Sequence, residues 1–158
     1  MKRVKSIKNN SIPIALIAAC GMNCSLCMAY GRVKNACPGC RGDDSIKSKS
    51  CIECRIINCK KIVSDKIKYC FECDNFPCAR LVYLDKRYRT KYSMSMIENL
   101  NTIKSQGIRY FIKNEKNRWE CPKCSRLLCV HRSECNYCHH VWRKIAYKEK
   151  PNPGLQWI

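Results

Sequence analysis

Six pairs of cysteines stand two residues apart in this chain: Cys24/Cys27, Cys37/Cys40, Cys51/Cys54, Cys70/Cys73, Cys121/Cys124 and Cys135/Cys138. A Cys-x2-Cys pair folds into a tight knuckle that turns two sulfurs toward one ion. Disulfide frameworks rarely repeat that spacing so often, so the pattern points to thiolate–metal chemistry. A reducing, cytoplasmic compartment is the expected location. The sharpest unit is Cys121-Pro-Lys-Cys124, ten residues, then Cys135-Asn-Tyr-Cys138. Two knuckles joined by a short hairpin-like segment predict a zinc ribbon, a closed site of four thiolates around an ion that makes no redox demand. Cys129, His131, His139 and His140 lie nearby as spare candidates; a histidine beside a knuckle is more often a surface or supporting group than a ligand.

Eleven more cysteines fall between residues 12 and 78. Cys24/Cys27 with Cys37/Cys40 would make one site. Cys51/Cys54 with Cys70/Cys73 would make another, and the fifteen residues between those pairs suit a zinc module. Cys20, Cys59 and Cys78 are left over, to complete a third site or to replace members of these pairs. Eleven is not a multiple of four, so a ligand is shared, spare or not a cysteine. About three or four zinc ions are expected in all, with an iron–sulfur cluster as the alternative in this upstream block, because thiolates serve both.

Other chemistries find less support. Hydrolytic zinc keeps a coordination position open and favours His or carboxylate ligands; the chain has three histidines and no His-Glu-x-x-His. Cys20-x3-Cys24-x2-Cys27 has the spacing of radical S-adenosylmethionine enzymes, but the chain is short for their partial barrel and lacks alternating strands and helices. Glu53, Glu72 and Asp74, near the knuckles, read as caps or supporting groups. Metal sensing or storage would use Cys59 or Cys129 as exchangeable thiols. No catalytic residue is assigned, and the balance leans away from an enzyme.

These sites need elements to hold them. The chain has 158 residues with 16 cysteines, but only three Phe and three Trp. A large apolar core is therefore not expected, and metal must supply much of the cohesion. The expected architecture is small, α plus irregular: a basic disordered arm at 1–11, a cysteine-knuckle module at 12–88, a helical segment at 89–118, a zinc ribbon at 119–145 and a tail at 146–158. Gly31, Pro38, Gly39, Gly42 and the polar stretch 42–50 predict loops and short turns in the knuckle module. Leu81, Leu84 and Tyr88 recur at helical spacing. Ser95 and Glu98 form a capping box ahead of Ile97, Leu100 and Ile103, with Gly107 as the stop. Ile108, Phe111 and Ile112 predict a further helix to about Arg118. No internal repeat is evident.

The first twenty residues invite a different reading. A basic start, the apolar run Ile12 to Ala19 and then Cys20 resemble the signal that precedes a lipid-modified cysteine. The run is short and contains Pro13, and Cys20 is in register with Cys24 and Cys27. A short buried strand leading into the first knuckle is the favoured expectation. No stretch is long enough to span a membrane.

Ala19-Cys-Gly-Met-Asn-Cys-Ser-Leu-Cys-Met-Ala-Tyr30, Cys37-Pro-Gly-Cys40 and Tyr69-Cys-Phe-Glu-Cys-Asp-Asn-Phe-Pro-Cys-Ala-Arg-Leu81 resemble a cysteine-rich prokaryotic family of unknown function that opens with Ala-Cys-Gly-Leu-x-Cys. Met22 stands here in place of the commoner leucine. The resemblance covers about residues 18–90 and implies zinc binding by all eleven upstream cysteines: Cys20, Cys24, Cys27, Cys37, Cys40, Cys51, Cys54, Cys59, Cys70, Cys73 and Cys78. It implies no activity.

The formal charge is +19. Three four-thiolate zinc sites would lower it to about +13, since each carries about −2. The protein stays basic, which favours nucleic acid, an acidic protein face or anionic lipid as partner. Arg87-Tyr88-Arg89, Lys91-Tyr92, Arg109-Tyr110 and Trp142-Arg143-Lys144 combine charge with rings for stacking. The expected function is a multi-zinc structural and binding protein.

Overall fold

Residues 12–78 fold without a sheet. The computed structural model describes residues 11–143; the expected basic arm (except Ser11), Lys144 and the tail lie outside them. The upstream module is built of 3-10 turns at Ile14–Leu16, Cys24–Leu26, Asp44–Ile46 and Cys70–Glu72, with two single-turn helices, α1 (Lys49–Ile52) and α2 (Lys60–Val63). Short polar caps start two of the turns. The Asn23 side chain accepts from the Ser25 amide at 3.2 Å, and Asp43 accepts from the Ser45 amide at 2.8 Å, as expected for side chains that satisfy open turn donors.

The apolar run before Cys20 is buried, but it is not a strand. Pro13 opens the first 3-10 turn, and only Ile17 makes an antiparallel bridge, to Asn23. Proline has no amide to donate to a ladder, and the chain reverses at once, with the Ala18 amide on the Met22 carbonyl at 2.8 Å. Ile12, Leu16, Ile17, Ala18 and Ala19 all lie in the core. Arg41 locks this segment to residues downstream: its Nε donates to the Ile17 carbonyl at 2.9 Å and its guanidinium to the Lys68 carbonyl at 2.6 Å.

Three longer helices follow: α3 (Ala79–Tyr92), α4 (Met96–Gln106) and α5 (Ile108–Trp119). Helix α3 runs unbroken through residue 88, where the sequence suggests a boundary, and ends at Ser93 in the left-handed region. The Ser95 hydroxyl caps α4 by accepting from the Glu98 amide at 3.1 Å. Gly107, with φ +87°, both ends α4 and begins α5, a conformation glycine adopts without steric cost. Helix α4 packs against both α3 and α5, and its inward residues Met96, Leu100 and Ile103 are buried.

Two buried polar contacts dock the upstream module onto the helices. Gly21 has φ +86°, and a Cβ there would sit 2.8 Å from the Met96 carbonyl oxygen and 2.9 Å from Leu100. Asn99 donates to the Gly21 carbonyl at 3.0 Å. Asn23, fully buried, donates to Glu115 at 3.2 Å. Burial raises the Glu115 carboxyl above its ordinary range, against opposing pulls from the Asn23 amide and Arg118. A third polar centre ties α3 to α4. There Asp85 accepts from the Ser95 hydroxyl at 2.6 Å, the Ile97 amide at 3.0 Å and Arg89 at 2.9 Å. Burial alone would raise Asp85; those three donors outweigh it and hold the carboxyl low.

Gly21→Ala is expected to destabilise the fold by about 2 kcal/mol or more, through the left-handed backbone and the collision with α4. An unchanged thermal midpoint would remove that contact from the account. Glu115 behaves oppositely to a paired surface carboxylate. Its folded pKa is raised, so its stabilising contribution is complete at acid pH and is lost as pH rises through the folded value. Glu115→Gln keeps an acceptor for Asn23 and removes the charge. It is expected to raise the midpoint at pH 7, with the gain fading as both proteins are taken below the ordinary glutamate pKa.

Candidate metal centre

The C-terminal block is two short hairpins of the same design. In the first, Glu120 bridges Leu127, the Cys121 amide donates to the Arg126 carbonyl at 2.8 Å, and the Ser125 amide donates to the Cys121 carbonyl at 2.9 Å. In the second, Glu134 bridges Val141, the Cys135 amide donates to the His140 carbonyl at 2.9 Å, and the His139 amide to the Cys135 carbonyl at 3.1 Å. Ser125 and His139 follow the second cysteine of each knuckle with φ +56° and +57°. The chain therefore does contain an internal repeat, contrary to the expectation from sequence. Its signal was present as Glu-Cys-x2-Cys-x2-Leu at Glu120–Leu127 and Glu-Cys-x2-Cys-x2-Val at Glu134–Val141, too short to stand out against the other cysteine pairs.

The repeat faces its four sulfurs inward. Cys121 Sγ lies 3.6 Å from Cys138 Sγ, and Cys124 Sγ lies 3.6 Å from Cys135 Sγ. All four sulfurs lie within 4.8 Å of one another. A tetrahedral ion with metal–sulfur bonds near 2.3 Å sets its sulfurs about 3.8 Å apart, whereas a disulfide needs roughly 2.05 Å. The donor set fits a metal ion closely. Cys121 and Cys135 are fully buried, and Trp119 packs edge-on against Trp142 at 5.4 Å to brace the two hairpins.

The backbone prepares this site for negative charge. Burial works against ionising Cys121, but the Cys124 and Lys123 amides point at its sulfur, and the thiol falls to about 7. Burial and the crowding of Cys135, Cys138 and Cys121 push Cys124 up to about 12. Four thiols this close do not ionise together on their own; a divalent ion removes that conflict and releases their protons.

Among the described residues, no other group of three or more ligand atoms lies within 4.8 Å of one another. The upstream cysteines are nevertheless drawn into neighbourhoods. The Cys40 amide points at Cys24 Sγ at 3.5 Å, and the Cys24 thiol, followed by burial, drives the Cys40 thiol far above its ordinary value. Cys20, raised first by burial, feels Cys40, Cys70 and Cys54, and the Cys70 amide donates to the Ala19 carbonyl at 2.8 Å. Cys59, Cys70, Cys73 and Cys78 line one cavity of about 340 Å³ beside Arg55 and Arg80. Burial, then Cys78, Cys59 and Cys73, push Cys70 up to about 12. Cys27 weighs against Cys129 and Cys37. Cys51 stands half-buried in α1.

Several rings named from sequence are occupied. The Tyr88 hydroxyl lies 3.1 Å from His131 Nε2, Tyr92 packs edge-on to the same imidazole at 4.8 Å, and Trp142 is held by Trp119 and Arg143. His131 is half-buried, and burial, followed by Arg143 and Arg87, lowers its imidazole pKa. Tyr110 is exposed, and so is Tyr83, which the sequence had not singled out.

Residues 16–83 match the model of a family described as a protein of unknown function (DUF3795). That stretch holds all eleven upstream cysteines and ends inside α3, so the C-terminal hairpins lie beyond it. No curated protein and no solved structure matches the chain. No helix among the described residues is long and apolar enough to cross a membrane.

Cys121→Ala leaves three thiols and an unfilled corner. The variant is expected to lose one metal ion per chain and to unfold the two hairpins while helices α3 to α5 persist. Metal content equal to that of the natural protein would refute the assignment.

Proposed function

We propose that this protein is a zinc-held binding module whose basic helices take nucleic acid, with Cys121, Cys124, Cys135 and Cys138 forming a zinc ribbon. The carrying observation is where the acids go. Helices α3 and α5 contain one carboxylate each, Asp85 and Glu115, and both are buried. Every exposed charged side chain on these two helices is therefore a cation: Arg80, Lys86, Arg87, Arg89 and Lys91 on α3, and Arg109, Lys113, Lys116 and Arg118 on α5. Exposed Tyr83 and Tyr110 add faces on which bases would stack. A charge pattern of this kind attracts phosphates and suits a polyanion.

The metal serves this reading as scaffold. Four thiolates close the coordination sphere and leave no position for an activated water. Soft thiolate donors favour zinc, and the cytoplasm keeps them reduced. The same chemistry extends to the upstream cysteines, several of which lie near one another. Anaerobically purified protein is expected to be colourless and to carry about three or four zinc ions per chain; brown protein with acid-labile sulfide would put an iron–sulfur cluster in the upstream block instead.

Fluorescence anisotropy with single-stranded RNA and DNA tests the partner. Binding is expected at low salt, with affinity falling linearly on a log–log salt plot. Replacing Lys86 and Arg87 together by Ala should weaken binding and reduce that slope by roughly one to two. Absence of binding to either nucleic acid at low salt overturns the proposal and leaves an acidic protein face as the partner to seek.

A further inference from the structure

Cys129 lies outside both the four-sulfur site and the family match, yet it is presented as a ligand. The backbone amides of His131 and Arg132, two and three residues on, favour its thiolate against the effect of burial. Cys121 receives the same pair of amides, from Lys123 and Cys124. Cys27 receives them from Ala29 and Tyr30. Amides so placed favour a thiolate and suit a metal-bound sulfur.

The backbone then brings the segments that carry Cys27, Cys37 and Cys129 against one another. The Val130 amide donates to the Leu26 carbonyl at 2.9 Å, and both side chains are fully buried. The Met28 amide donates to His131 Nδ1 at 3.3 Å. The Cys37 amide donates to the Ala29 carbonyl at 2.9 Å. Cys27 and Cys129 line the same small cavity of about 70 Å³. Cys24, the partner of Cys27 in its sequence pair, turns instead to Cys40.

We infer that Cys27, Cys37 and Cys129 bind one thiophilic divalent ion, which staples the upstream module to the loop between the two C-terminal hairpins. Their sulfurs are more widely spaced than those of the C-terminal site, so the proposed ion requires the three side chains to turn toward it. The staple would make the two cysteine blocks one unit, with the ion at the seam beside Leu26 and Val130.

The inference rests on thiolate–metal binding as such, and is independent of what the basic helices contact. Full-length protein loaded with an NMR-active cadmium isotope tests it directly. One cadmium resonance is expected to couple to the β-protons of Cys27, Cys37 and Cys129 together. Coupling at Cys121, Cys124, Cys135 and Cys138 in the same spectrum reports the C-terminal site separately, so failure of one assignment is distinguishable from failure of the other. Absence of cadmium coupling at Cys129, including its loss to a Cys27–Cys129 disulfide, overturns the inference. As a second measurement, Cys129→Ala should carry one zinc fewer than the natural protein; an unchanged zinc count overturns the inference equally. Should that variant fail to fold, the cadmium spectrum of the natural chain decides.

Discussion

Gly21 presses its backbone against α4 where no side chain would fit, and Asn99 holds its carbonyl there. The upstream module has no sheet and no helix longer than one turn before α3, so it has little internal backbone bonding to define its shape. Its position is set by this approach and by the neighbouring pair Asn23–Glu115. Cys20 and Cys24 flank these anchors, and so the placement of the first knuckle follows from contacts with α4 and α5. A buried polar pair of this kind gives direction to a segment that apolar burial alone would leave free to slide.

Apolar burial covers only part of the chain. Apolar packing is concentrated around α4 and the segment 12–26, where Leu16, Ile17, Leu26, Leu81 and Leu100 meet. Outward from that centre, residues 31–68 are mostly exposed or half-exposed, with Val33, Ile46, Ile52 and Val63 open to solvent. Such segments bury too little to offset the loss of chain entropy. In the proposed reading, ions bound by thiolates would supply the missing free energy without needing bulk, because each ties together residues distant in sequence.

Placement of charge follows from the same economy of core. Asp85 and Glu115 are drawn inside as acceptors for Ser95, the Ile97 amide and Asn23, which leaves α3 and α5 positive on the outside. Aromatic rings obey a parallel rule. Tyr88, Tyr92 and Trp142 close around His131 and Trp119, while Tyr83 and Tyr110 are left exposed. The outer surface of α3 and α5 is thus what remains after the interior has taken Asp85, Glu115 and several of the rings.

Spacing pointed to the four-sulfur site, because each of its Cys-x2-Cys pairs is built by its own short hairpin and the two hairpins are close in sequence. The helices were equally legible: Ser95 as cap, Gly107 as stop and Leu100 with Ile103 as the inward face are all properties of neighbours in sequence. What the tertiary structure decided is nonlocal. The strand expected before Cys20 became a turn because the chain folds back at Gly21 onto α4. Cys24 and Cys27 face different neighbours because the loops carrying Cys40, Cys37 and Cys129 arrive from different sides. Cys129, solitary in the sequence, meets Cys27 through the hydrogen bond between Val130 and Leu26, and no spacing rule reaches across a hundred residues of chain.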